Sequence, residues 1–296
     1  LNDCPLRDIK EIKKFKNKYG EFDILLTQFS YAAWKGGKEG KIFRENAAKE
    51  KLVDITNQSK ILNCKKVIPF ASFVYFSNKL NFYMNDSMNT PEIVNNYLTK
   101  KSVDSVIMRP GEKQSLNELK QDKNSLEFWK NKYSMDIEDK KIDFYKKNNT
   151  FEDIKNDFIN YQKKIFEKNS KTLIYFLHKL NFLGAFQRLN IFVLDNEQNY
   201  EYSIFSGLKK TNNNQYDISM HSESLSFIFK NEFGFDTLTV NGCFECEPKN
   251  FSKVSKTLAL GSLNSMGIKL NLGIIFKLDI IFLFMKKLIV FLKKLK

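Results

Sequence analysis

The chain has 296 residues and a formal charge of +14, from 48 Lys+Arg against 34 Asp+Glu. A hydrophobic fraction of 42 % with only 12 Gly and 5 Pro excludes a disordered or fibrous chain and fits one large or two ordinary domains. Two histidines, His178 and His221, exclude a self-contained multi-histidine metal centre and leave little room for imidazole acid–base chemistry.

Residues 1–20 predict a capped helix. Asp3 and Pro5 are start signals, Leu6, Ile9, Ile12 and Phe15 recur every three residues, and Gly20 is the stop. Phe22-Asp-Ile-Leu-Leu26 predicts a short buried strand that opens into Thr27-Gln-Phe-Ser-Tyr-Ala-Ala-Trp34, followed by Gly36 and Gly37. A strand that ends in an aromatic, glycine-flanked loop is a common pocket wall. Residues 41–60 are charged and helical in pattern. Lys66–Pro69 and Ser72–Phe76 predict two strand pieces around a turn. Asn85–Pro91 is a polar loop with Pro91 placed to begin a helix. Val103–Met108 predicts another strand, halted by Arg109-Pro110-Gly111. Helix and strand alternate over residues 1–111, which is α/β grammar.

Residues 112–180 carry no strand pattern. Phe151, Ile154, Phe158, Ile165 and Phe166 form a helical stripe with Thr150 as cap and Asp153 at the third helical position. Strand-like runs return at 190–194, 201–205 and 216–220. A helix capped by Ser222 is expected over 222–231, with Gly234 ending it and Thr237–Val240 leading into the turn Asn241-Gly242. This is a second, smaller α+β unit. Seven lysines and one aspartate fall in residues 267–296. The tail from 270 is apolar but broken by Lys277, Asp279, Lys286 and Lys287, so it lacks the ~20 uninterrupted residues of a membrane span. It can lie in a membrane interface or pack on a domain. The N-terminus shows no secretory signal and no initiator Met, so the chain is expected to be a fragment or processed product of cytoplasmic location.

Chemical motifs are sparse. Cys243-Phe-Glu-Cys246 is a lone CxxC without a second ligand pair, and it follows a strand-and-turn signal, not a helix start. His178 and His221 sit on or beside helices as surface or cap residues. No GxGxxG, Walker loop, HExxH or GxSxG occurs. Asp3, ahead of a helix, can cap it or reach a metal. The lysine, asparagine, isoleucine and phenylalanine excess is explained by AT-biased coding; attraction to a polyanion is the functional alternative.

Several short blocks in order carry a family resemblance: Asn2-Asp3, Asp23–Ser30, Pro69–Phe73, Asn85-Asp86 and Asn89-Thr90. Together they resemble the metallo-β-lactamase superfamily, in the branch of CMP-N-acetylneuraminate hydroxylase-like proteins and bacterial relatives in surface-polysaccharide synthesis. The resemblance covers about residues 1–111. It implies the C-terminal half of an αββα sandwich, with Asp3 as the strand-following metal ligand. The HxHxDH motif of that family is absent from this sequence, and Asn78 stands where the last histidine is expected. Asn is a poor replacement for imidazole at zinc. A divalent metal (zinc, iron or manganese) is therefore implied for the intact family, with an incomplete site here. Gln28, Ser30 and Trp34 would line the pocket, and Asn85 and Asp86 would orient the substrate. Ser222–Leu225, Phe233–Leu238, Val240–Gly242 and Phe244-Glu245 resemble a sterol-carrier-like domain, which can present an apolar groove.

The expected organisation is thus a partial metallo-β-lactamase-like domain over 1–111, a helical linker over 112–149, a sterol-carrier-like α+β domain over 150–260 and a basic apolar tail over 261–296. The expected function is metal-dependent, hydrolase-like action on an anionic metabolite such as a nucleotide-sugar. The alternative is a non-catalytic binding module. Expected partners are the anionic small molecule, a second copy or a separate N-terminal half, and a membrane interface at 270–296. Nothing points to a specific nucleic acid.

Overall fold

The computed structural model describes residues 6–134, 148–180, 183–271 and 273. Asp3, and nearly all of the tail from 270, lie outside them. Among the described residues the fold is mixed α/β, with 50 % helix and 12 % strand in small sheets. It divides into two compact units, Leu1–Asp143 and Phe144–Lys296.

In the first unit, α1 (Ile9–Tyr19) begins at Asp8, whose carboxylate accepts the backbone N–H groups of Lys10 and Glu11 at 2.7 and 3.2 Å. The cap is thus five residues later than Asp3. Gly20, at φ 84°, ends the helix as its spacing predicts. Strand β1 (Ile24–Thr27) pairs in parallel with β2 (Lys66–Pro69), and the long helix α2 (Lys41–Ile61) connects them. Helix α3 (Pro91–Lys100) has Pro91 in its first turn and Thr90 as cap, its hydroxyl accepting the Ile93 N–H. The run 103–108 contributes one parallel bridge, Val67 to Ser105, on the far side of β2. The run 72–76 is not a strand; the backbone N–H and carbonyl of Phe76 are taken by the Asn85 side chain. Leu25, Phe29, Leu52, Ile55, Val67, Val94 and Leu98 form the core between strands and helices. Each such burial contributes about 1.5–3 kcal/mol before chain entropy is charged against it.

Residues 112–134, read as linker, pack into this unit. Helix α4 (Lys123–Ser134) stacks Trp129 on Phe73 with ring centroids 4.1 Å apart, and the indole N–H donates to Met108 O at 2.9 Å. Aromatic area, not charge, decides where this helix sits.

The second unit carries a four-stranded sheet in the order β5-β4-β3-β6, with β3 (Leu189–Val193), β4 (Gln198–Ser203), β5 (Gly207–Thr211) and β6 (Ile218–Met220). β3 is antiparallel to β4 and parallel to β6, and a bridge from Ser219 to Glu245 extends the β6 edge. β5 has one apolar residue, Leu208, and two lysines, so its pattern hides it in the sequence; an edge strand tolerates that. Helix α5 (Phe151–Lys168) has the full capping box of Thr150 and Asp153 that its sequence predicts. Helices α6 (Lys171–Lys179) and α7 (Ser222–Lys230) follow, the latter capped by His221 and not by Ser222: the His221 side chain accepts the Glu223 N–H.

Gly234 does not end the helical region. It opens α8 (Gly234–Asn241), and Thr237–Val240 is helical because Phe235 and Leu238, three apart, are the buried positions; Gly242, in the left-handed region, closes it. A Cβ on Gly234 would stand 2.6 Å from Ile228 Cα, so only glycine lets α8 start so close to α7. Helix α9 (Pro248–Ser265), not anticipated above, buries Val254, Leu258 and Gly261 and carries the chain past the expected boundary at 260.

Candidate functional site

The segments leaving the carboxyl ends of β1 and β2 are where an open α/β sheet presents its ligand. They are residues 28–40 and 70–90, and hydrogen bonds tie them together. Ser72 Oγ accepts the backbone N–H groups of Phe29 and Ser30, both at 3.2 Å. Ser30 Oγ accepts the Asn89 N–H at 3.1 Å. The Asn89 amide donates to Phe29 O and Ala48 O, both at 2.8 Å, and so staples the loop after β1 to α2. The Tyr31 hydroxyl donates to Met84 O, and burial, then the nearby Asp86 charge, holds that phenol far above its ordinary pKa.

Arg44 is the centre of this region. It lies on α2, is 1 % exposed and grips Asp86 with two hydrogen bonds, 2.8 Å from Nε and 2.6 Å from Nη2. Its remaining donors reach Gly37 O and, at 3.2 Å, Lys38 O, and the guanidinium lies 4.9 Å from the Tyr83 ring centroid. Burial pushes the Asp86 carboxyl up, but the hydrogen bonds from Arg44 and Ser87 outweigh it and hold it below the usual carboxylate range. The loop between is fixed by space as well as by bonds. A Cβ on Gly40 would meet Gly36 O at 2.2 Å, and one on Gly36 would meet the Phe43 ring at 2.7 Å.

The residues expected to form the site take these places. Ser30 and Trp34 are buried, at 3 % and 8 % exposure. Asn85 exchanges three hydrogen bonds with backbone, accepting from Phe76 N at 2.8 Å and donating to Phe76 O and Phe82 O at 2.7 and 2.9 Å. It thereby occupies the strand-like groups of Phe76. Asn78 Oδ1 accepts the Leu80 N–H at 2.9 Å and turns the chain locally. Asp86 is held by Arg44. Gln28 is half-buried, and its carbonyl oxygen accepts from Lys51 Nζ at 3.1 Å, which places an amide and an ammonium side by side. The sequence reading missed Arg44. Its only signal was an arginine inside a helix otherwise stocked with lysine.

Metal-binding capacity can be tested on the side chains present. Among the described residues, no three or more His, Cys, Asp or Glu gather to hold a metal, and Asn78 spends its oxygen on its own turn. The described residues therefore do not by themselves make the implied metal centre, and Asp3 lies outside them.

The second unit brings Asp195, His221 and Ser222 together, the residue types of a nucleophilic triad. Their wiring is different. The Ser222 hydroxyl donates to Asp195 Oδ2 and accepts the Asn149 N–H at 2.8 Å, while His221 Nδ1 accepts the Glu223 N–H at 3.3 Å. Ser222 is fully buried, and its proton goes to a carboxylate, not to an imidazole, so the group caps α7 and fixes residue 149. His178 contacts Phe186 O through Nδ1 at 3.0 Å. Cys246 is buried; burial first, then Glu245, Asp217 and Glu247, push its thiol up to about 12, which leaves no thiolate for redox chemistry at neutral pH.

The cavities among the described residues of this unit include an apolar and a polar one. A trough of 530 Å³ runs between α5 and β5 over Phe151, Phe158, Ile159 and Leu208, with Lys155 and Lys210 at its rim. A second, polar cavity of 660 Å³ lies between the start of β3, the chain before β6 and the first turns of α9. No helix among the described residues is long and apolar enough to cross a membrane.

Comparison of the chain with family models, with curated proteins and with solved structures gives no match in any of the three.

Proposed function

We propose that the first unit is part of a metallo-β-lactamase-like αββα fold and binds an anionic metabolite such as a nucleotide-sugar, in a hydrolase-like lineage serving surface-polysaccharide synthesis. One observation supports this reading. Three of the blocks that carry the resemblance, 23–30, 69–73 and 89–90, meet at the carboxyl ends of β1 and β2 through the Ser30–Ser72 and Ser30–Asn89 hydrogen bonds.

In this reading the chain supplies a binding wall. Gln28 and Lys51 offer an amide and an ammonium to the ligand, and Lys35, Lys38 and Lys41 place positive charge beside the N-terminal end of α2. Ser30, Asn85 and Asp86 position that wall. The divalent metal of the family (zinc, iron or manganese) would supply Lewis-acid chemistry if Asp3 and further ligands hold it.

The test is metal analysis of the purified chain together with a UDP-glucose titration followed by tryptophan fluorescence. Saturable binding that weakens several-fold in Gln28→Ala and Lys51→Ala supports the reading. Absence of stoichiometric zinc, iron or manganese removes the catalytic part, and absence of saturable binding removes the rest.

The second reading is a non-catalytic binding module built on a sterol-carrier-like second unit. The trough between α5 and β5 favours it, since its floor is apolar and accessible. It predicts that loss of the trough, as in Leu208→Lys, abolishes partner capture while UDP-glucose has no effect.

A further inference from the structure

The polar cavity of the second unit is not used by either reading. Its volume of 660 Å³ falls within the roughly 300–1,000 Å³ of pockets that enclose small molecules. Three carboxylates, Asp217, Glu245 and Glu247, line it against two ammoniums, Lys249 and Lys253. In a chain of net charge +14, this is a place where acid outnumbers base, so an anion gains nothing there.

Its polar groups are organised. Lys253 Nζ donates to both oxygens of Asp217 at 2.8 Å, and Asp217 also accepts the Asn190 N–H at 2.9 Å. That arrangement anchors the loop before β6 to β3 and α9. Around it stand planar amides, Asn190 and Gln215 among them, each offering a donor and an acceptor at once. Tyr216 lines the same cavity. It is 49 % exposed, yet its ring is braced on Phe192 with centroids 5.4 Å apart and planes within 23°.

We infer that this cavity binds a neutral sugar. A pyranose ring has an apolar C–H face that lies against an aromatic ring, and an edge of hydroxyls that pair with amides and carboxylates. A braced, half-exposed tyrosine beside amides and carboxylates supplies both. The lining disfavours a phosphorylated sugar, and the inference is independent of the reading of the first unit.

The test is saturation-transfer NMR on the full chain with glucose, galactose, N-acetylglucosamine and maltose, and with glucose 1-phosphate as the charged counterpart. At least one neutral sugar is expected to bind saturably, with a Kd on the order of 1 mM. Tyr216→Ala is expected to weaken it about fivefold or more, and Gln215→Ala, at an exposed position, to weaken it measurably. Both variants should keep the wild-type circular dichroism. Failure of all four neutral sugars to saturate, undiminished binding in folded Tyr216→Ala, or tighter binding of glucose 1-phosphate than of glucose would each overturn the inference.

Discussion

In the first unit, the segments after β1 and β2 are held by buried polar groups: Arg44 on Asp86 and Gly37, Asn89 on Phe29 and Ala48, Ser72 on Phe29 and Ser30. In the second unit, α5 and α7 meet β4 through rings. Phe158 lies 5.6 Å from Tyr202 and 5.3 Å from Phe229, and Tyr202 and Phe229 stack at 5.9 Å. Both devices fix a structure, but they fail differently. An aromatic cluster loses energy in proportion to area and relaxes around a defect. A buried polar cluster stores its cost in groups that become orphaned when one partner leaves. The first unit thus spends specificity on loops, where a ligand would need fixed geometry, and the second spends area on its core.

That contrast can be broken by four measurements. The largest effect is expected for Phe158→Ala, which should destabilise the second unit by about 4 kcal/mol in urea unfolding followed by near-ultraviolet circular dichroism. The only two tryptophans, Trp34 and Trp129, both lie in the first unit, so tryptophan fluorescence should keep its midpoint in that variant. A midpoint that moves equally would mean the two units unfold together.

Arg44→Met should do the reverse. Removing a guanidinium that is 1 % exposed leaves Asp86 and two carbonyls without it, and the fluorescence midpoint should fall by the equivalent of about 3 kcal/mol. Arg44→Lys should recover little, because one ammonium cannot replace a forked pair. Asn89→Ala should cost the first unit about 2 kcal/mol, since Phe29 O and Ala48 O lose their donor in a buried place.

The smallest effect concerns acid. The folded-state pKa of Asp86 is depressed, so its contribution is fully present above the ordinary carboxylate pKa near about 4 and is lost as pH falls through the lower folded value. Asp86→Asn should flatten that part of the pH dependence below about 4, beside a lowered neutral-pH midpoint from the buried guanidinium that loses its counter-charge. An unchanged acid profile would show that other carboxylates govern it.

Periodicity made much of the fold legible. The stripe of α5 with its capping box, Pro91 opening α3 and Gly20 closing α1 all follow from rules that act within a few residues. What misled was long-range. Ser72–Phe76 has the composition of a strand, but Asn85 takes the Phe76 backbone from nine residues away. Thr237, Thr239 and Val240 are β-branched, yet Phe235 and Leu238 bury a helical face. The polar residues of the candidate site were visible as types, whereas many of their partners are backbone N–H and carbonyl groups about 40 to 60 positions away, which no spacing rule encodes. Arg44 joins two loops in the same way.

The close approach at Gly36 and Gly40 bears on kinship. The lysines of this loop can drift to other polar residues without moving the backbone, but a methyl at Gly40 would collide with Gly36 O at 2.2 Å. Any chain that inherited this corner must therefore keep its glycines while its charges diverge. The spacing Gly-x3-Gly followed four residues later by an arginine, with an acid some forty positions on, is a more durable signature of descent than the lysine-rich composition around it.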